Sequence, residues 1–178
     1  MSGTRPCRDA HRFTSNGIES CRGAVELGRK QMVRVRPADS GDTEAWVRMR
    51  RELWPGCTEE EHRHEVATLF GKYLFPMVAF VAEQDGQPVG FAEVSIRPYA
   101  EGCRTDRVGY LEGWFVYAHM RGCGIGRALV AAAEEWARSR GCTEFASDAE
   151  ADDESSAAAH RSLGFTDIGL VRCFRKDL

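Results

Sequence analysis

Six residues, Arg121-Gly122-Cys123-Gly124-Ile125-Gly126, stand between an apolar run and a helical pattern. Upstream, Tyr110 to Tyr117 is apolar and aromatic, as a buried strand is. Downstream, Ile125, Ala128, Leu129, Ala132, Ala133, Trp136 and Ala137 recur at helical spacing. The first turn of a helix has unpaired N–H groups and a partial positive charge. Glycines there let a ligand approach the backbone. Together these features make a seat for a phosphate or pyrophosphate. A tight strand-to-helix turn that binds nothing is the bland alternative. A Rossmann dinucleotide site is a third reading, with Asp148 near the place of its ribose acid. Gly122, Gly124 and Gly126 depart from Gly-x-Gly-x-x-Gly, however, and too little chain follows for a doubly wound sheet.

A second set of residues is acidic. Glu112 lies inside the strand before the glycines. Asp148, Glu150, Asp152, Asp153 and Glu154 follow the short strand Glu144 to Asp148. Such a run is usually a solvated loop. Here it lies past the carboxyl end of a strand, where open α/β sheets place ligands, and it would suit a cationic substrate. Glu93 sits in an apolar strand, with solvent as its default surroundings. His62 and His64 are two apart on a helix, pointing to different sides, and read as solvated surface rather than a metal pair. Trp54, beside Pro55, reads as core packing or as the wall of a site. Cys123 lies inside the phosphate turn and is not read as a nucleophile.

These residues need elements to hold them. Met32 to Arg36 is a strand. Ala45, Trp46, Met49 and Leu53 give a helix an apolar stripe, which Pro55-Gly56 ends. Thr58 and Glu61 form a capping box for a second helix, with Val66, Leu69, Phe70 and Leu74 on its apolar side. Met77 to Glu83 and Pro88 to Ile96 flank Asp85-Gly86, a hairpin signal. Arg97 to Arg107 is a loop. Gly141 ends the long helix. Ser155 to Leu163 is a short helix, and Ile168 to Phe174 a last strand. The order predicts an α/β (α+β) fold, a mixed sheet of about six strands covered by helices.

The chain has 178 residues, a net charge of −3 and 43% hydrophobic residues, which suits one soluble domain with a real core. Near-neutral charge gives no nucleic-acid footprint, and no apolar run has the length of a membrane span. Seven scattered cysteines without Cys-x-x-Cys argue against a disulfide framework or structural zinc and for a reducing, cytoplasmic setting. Residues 1–31 are rich in Arg, Ser and Gly and read as a poorly ordered extension, with a weak helix around Ser20 to Arg29. Residues 32–178 are the domain.

Arg-x-x-Gly-x-Gly after an apolar strand resembles the acetyl-CoA signature of the Gcn5-related N-acetyltransferases. Leu53-Trp54-Pro55-Gly56, Ala92 to Tyr99, Gly102-Cys103, Tyr110 to Val116, Cys142 to Asp148 and His160 to Phe165 extend the likeness over residues 32–178. Together the blocks resemble the dimeric, chromosomal aminoglycoside 6′-N-acetyltransferases. The resemblance implies a mostly antiparallel sheet of six to seven strands. It implies acetyl-CoA as co-substrate, no metal and a homodimer. Phe115, Val116 and Tyr117 would line the pantetheine arm. Arg121, Gly122, Cys123, Gly124, Ile125, Gly126 and Arg127 would hold the pyrophosphate. Trp54, Tyr99, Glu112 and Asp148 match positions that contact the aminoglycoside in relatives. Glu112 is then expected as general base, with Asp148 assisting. Many superfamily members carry a tyrosine acid where this chain has His160, which could protonate the leaving thiolate. An acetyltransferase for another amine, polyamine or protein N-terminus, and a CoA-binding regulator without catalysis, are the alternatives.

Overall fold

The computed structural model describes residues 33–70 and 76–177. The extension, its weak helix, Met32 and Leu74 lie outside the described residues. The elements run β1 (Arg34–Pro37), α1 (Thr43–Leu53), α2 (Glu59–Leu69), β2 (Met77–Gln84), β3 (Gln87–Arg97), β4 (Val108–Val116), α3 (Ile125–Ser139), β5 (Glu144–Ser147) and α4 (Glu154–Ser162). Local chemistry sets their ends. Thr58 accepts from the Glu61 N–H, and the Glu61 carboxylate accepts from the Thr58 N–H, so the expected box starts α2. Asp85 and Gly86 both have positive φ, 51° and 78°, and turn β2 into β3. Gly141, at φ 83°, follows α3.

One sheet has the order β1-β2-β3-β4-β5. Its first four strands are antiparallel neighbours, and β5 runs parallel to β4. The mixed sheet and flanking helices match the expected class, with five strands rather than six or seven. The difference lies in Ile168 to Phe174, which form no strand. A strand needs a neighbour for its ladder hydrogen bonds, and among the described residues this segment pairs with no strand. Leu170 and Phe174 are 80% and 90% exposed.

The sheet separates two cores. On one face α3 packs through Ile125, Leu129, Val130 and Ala133 against Ala92, Val94, Leu111 and Val116. On the other, α1 and α2 bring Trp46, Met49, Trp54 and Val66 against Phe91 and Phe115. Leu111 and Phe115 are four apart in one strand yet face opposite layers. A regular strand would put them on the same side. The register explains it: Glu93 pairs with Gly113 and Val94 with Leu111, leaving Glu112 as the extra residue of a β-bulge.

The cysteines depart in part from expectation. Cys103, Cys123, Cys142 and Cys173 are free, but Cys57 is disulfide-bonded.

Candidate functional site

The glycine corner begins where β4 ends. Gly122 and Gly124 have φ of 77° and 81°, the left-handed region where a side chain is strained, and space around both is open. Gly124 is the N-cap of α3 and offers no side-chain cap. The first-turn amides of this helix have no intrahelical acceptors and are available to an anion. Gly126 has a different reason to be glycine: a Cβ there would lie 2.6 Å from Trp114 Cζ2. The corner's arginines are tied to the protein. Arg121 Nε donates to the Val116 carbonyl at 2.9 Å, and Arg127 Nη2 donates to the Ser162 carbonyl at 3.0 Å, bracing α4 against α3. Cys123 is exposed in the corner.

Phe115 and Val116 point into the two cores, so toward a ligand they present backbone rather than side chain. Tyr117 packs edge-on against Phe115, and its N–H donates to the Val89 carbonyl. Pairing of β4 with β5 stops at Leu111–Ser147, while β4 runs on to Val116. Among the described residues no strand covers that edge of β4 beyond Leu111. A slot therefore opens between the strands, with the bulge at its base and the corner at its far end.

The bulge makes Glu112 and Gly113 face the same side, toward α1. Gly113 carries no side chain because Trp54 lies on it: a Cβ would be 2.4 Å from Trp54 Cη2. Glu112 is buried. Its Oε1 accepts from the Ser95 hydroxyl and from Arg97 Nε at 2.9 Å, and its Oε2 from Arg97 Nη2 at 2.5 Å. The Arg97 guanidinium lies 3.4 Å from the centre of the Tyr110 ring. Burial, and then the negative charge of Asp148, push the Tyr110 phenol well above its ordinary pKa, so it keeps its proton beside Asp148. Glu112, Arg97 and Tyr110 thus form one chain of contacts that ends near the charge of Asp148. Asp148 is exposed, just past β5.

Of the aromatic candidates, Tyr99 is 64% exposed, whereas Trp54 is buried at 2%. Trp54 is fixed from three sides. Its N–H donates to the Arg50 carbonyl, its carbonyl accepts from His62 Nε2 at 3.1 Å, and the Arg50 guanidinium lies 4.6 Å from the ring centre. His62 is therefore buried core, against the expectation of solvated surface. Burial, and then the charge of Arg50, hold its pKa below the ordinary value. His64 is exposed as expected.

Glu93 also departs from expectation. It is fully buried rather than solvent-facing, and accepts from Trp46 Nε1 at 2.9 Å and from Arg50. Arg50 bridges on to Glu65. Sequence reading missed Arg50 as a partner and gave Ser95 and Arg97 no individual role. A signal was present for the last two: Glu93, Ser95 and Arg97 alternate along β3 and so share the face that Glu112 uses.

His160 lies on α4. Its Nδ1–H donates to the Ser156 carbonyl at 2.8 Å, and Nε2 lies 3.0 Å from Ser147 Oγ. Ser147 Oγ also lies 3.2 Å from the Leu111 carbonyl, next to Glu112 in sequence. The ring stands edge-on to Trp114 and Phe165. The acidic run divides in function. Asp153 caps α4, accepting from the Ser156 N–H at 2.9 Å, while Asp148, Glu150 and Asp152 are exposed. No cluster of His, Cys, Asp and Glu suited to a metal occurs among the described residues.

This arrangement has counterparts. The family model described as Acetyltransferase (GNAT) family matches residues 46–165. An aminoglycoside N(6′)-acetyltransferase type 1 from Klebsiella aerogenes is 51% identical over 146 residues, covering 81% of this chain and 96% of that protein. A protein of the same name from Stenotrophomonas maltophilia is 40% identical over 147 residues, covering 81% and 93%. The solved structure of aminoglycoside N-acetyltransferase AAC(6′)-Iy in complex with CoA has a TM-score of 0.80 and 32% identity, covering 86% of this chain and all of that one. The same enzyme with the bisubstrate analog CoA-S-monomethyl-acetylneamine has a TM-score of 0.78, also at 32% identity, covering 83% and 99%.

Proposed function

This chain belongs to the acetyltransferase (GNAT) family, among relatives that are aminoglycoside N(6′)-acetyltransferases, and on that premise we propose that it moves an acetyl group from acetyl-CoA to the 6′-amine of an aminoglycoside. The observation that carries the reading is the slot itself. It has bare helix amides at one end and a buried carboxylate on a β-bulge at the other.

The residues divide the work. Gly122, Gly124 and the first-turn amides of α3 seat the pyrophosphate, with Arg121 and Arg127 bracing the corner. The uncovered edge of β4, from Phe115 to Tyr117, offers backbone groups to the pantetheine arm. Glu112 takes a proton from the 6′-ammonium, which has no lone pair until it does so. The freed nitrogen attacks the thioester carbonyl carbon; the C–N bond forms, the C–S bond breaks, the sulfur leaves with the electron pair, and the second proton of the acylated nitrogen passes to the thiolate. Asp148 and Tyr99 hold the rest of the amino sugar, and Trp54 supports the floor beneath Glu112. On this reading His160 Nε2 relays that second proton to the departing thiolate. Positioning supplies much of the rate, and no covalent enzyme intermediate is required. An acetylated amine no longer carries positive charge, so the product loses a cation that the antibiotic uses, and resistance follows.

The chain acts as a homodimer in the cytoplasm on this reading. The apolar segment from Ile168 to Phe174 stands exposed, and the outer edge of β5 has no strand beside it among the described residues; a second copy covers both. Light scattering on the full chain tests this, a monomer refuting it. No helix among the described residues is long and apolar enough to cross a membrane.

The deciding assay follows thiol release from acetyl-CoA with kanamycin and a panel of other amines, with the product mapped by mass spectrometry. Acetylation at the 6′-amine is expected. Thiol release only with other amines would refute the named substrate, and near-normal turnover by Glu112→Ala would refute the base.

A further inference from the structure

The carboxylate expected to meet the substrate's ammonium already holds a cation. Arg97 reaches both Glu112 oxygens, and the Glu112 side chain is 5% exposed, so an incoming amine meets the guanidinium first. Arg97 is itself not sealed in. It is the last residue of β3, its side chain is 36% exposed, and one face of its guanidinium rests on Tyr110. Beyond that ring the Tyr110 phenol feels the negative charge of Asp148, a second carboxylate.

We propose that Arg97 is a specificity-determining residue: it stands in for the substrate's ammonium on Glu112 in the free protein and gives up that place when a polycationic amine docks. The proposal rests on the amino-sugar reading above. Binding is then an exchange of one cation for another, and the buried carboxylate is never left bare, which would carry a large desolvation cost. The exchange also selects. A tethered guanidinium competes at a high effective concentration. A ligand with one amine must displace it through that amine alone. A ligand with several ammonium groups gains further contacts at Asp148 and the exposed acids beyond β5, and these offset the displacement. The displaced guanidinium keeps the Tyr110 face, near the charge of Asp148.

The test compares wild type with Arg97→Met and Arg97→Lys, using kanamycin and the monoamine 6-amino-6-deoxyglucose as acceptors. In Arg97→Met, KM for the monoamine should fall by about tenfold for the loss of one charge-assisted competitor, and KM for kanamycin by less, so that the preference for kanamycin narrows. Arg97→Lys should retain the wild-type preference. If Arg97 merely orients Glu112, Arg97→Met lowers kcat while KM stays or rises, and that result overturns the proposal. Coenzyme A affinity, measured by calorimetry, checks that the variant is folded. If Arg97→Met does not fold, Arg97→Gln is read by the same KM and kcat criteria. Failure of the wild type to acetylate either acceptor would remove the underlying reading, and is distinguishable from a wild type that works with a variant whose KM rises.

Discussion

Two glutamates on adjacent strands each meet an arginine on the α1 face of the sheet, and their surroundings make them different objects. Glu93 and Arg50 have side chains 1% and 3% exposed, with Trp46, Glu65 and Trp54 around them. Glu112 and Arg97 are 5% and 36% exposed, with Ser95 and Tyr110 around them. In the first pair both charges are locked. In the second the acid is buried and its cation can leave. A buried ion pair is weak evidence of function; a buried acid whose partner has a way out is stronger evidence. The first pair instead holds the helix end from which Trp54 reaches the floor of the second.

Breaking the pairs should separate these roles. Glu93→Ala leaves Arg50 buried beside a lost partner and should cost about 3–5 kcal/mol of unfolding free energy, measured by denaturant titration. Glu112→Gln should instead act on rate, lowering kcat/KM about 100- to 1000-fold in thiol-release assays while the denaturation midpoint moves little. Comparable stability losses for the two would erase the distinction. The double replacement Arg50→Met with Glu93→Leu should recover most of the stability lost in Glu93→Ala, since a well-packed apolar pair often replaces a buried ion pair without loss. If the double variant remains as unstable as the single one, the network contributes more than charge balance.

The smallest effect concerns His62, which reaches the sealed pair from α2. Burial depresses its folded-state pKa, so between the unfolded value of about 6.5 and that lower value the unfolded chain binds a proton that the folded chain does not. Stability from this residue is therefore complete above about pH 6.5 and falls as pH drops below it. Denaturation at pH 7.5 and 5.5 should show a loss in wild type that is reduced in His62→Gln. An equal loss in both would mean that His62 is accessible to protons in the folded state.

What the sequence disclosed follows the range of the interactions. The Thr58–Glu61 box, the Asp85-Gly86 turn and the helix after Gly124 were all readable because each is settled within a few residues. The place of Glu93 was not, because its partner Arg50 is 43 positions away on another element. His62 looked solvated for the same reason: its acceptor is the carbonyl of Trp54, across a turn. The expected final strand is absent among the described residues because apolar residues alone do not make a ladder. Glu112 was picked out by its resemblance to a known pattern. Its geometry was hidden, since Tyr110-Leu111-Glu112-Gly113-Trp114 reads as an unbroken strand until pairing with β3 reveals the added residue.

That added residue has a consequence for how the protein can change. Leu111 and Trp114 share a layer only because one position between them is surplus to the ladder. Deleting it would restore a regular strand and turn every later side chain through the sheet, sending Phe115 toward α3 and Val116 toward α1. Lineages can exchange the acid for another residue type, but they cannot drop the position without also turning half of β4 inside out. The buried acid and the facing of the strand beyond it are written in the same codon.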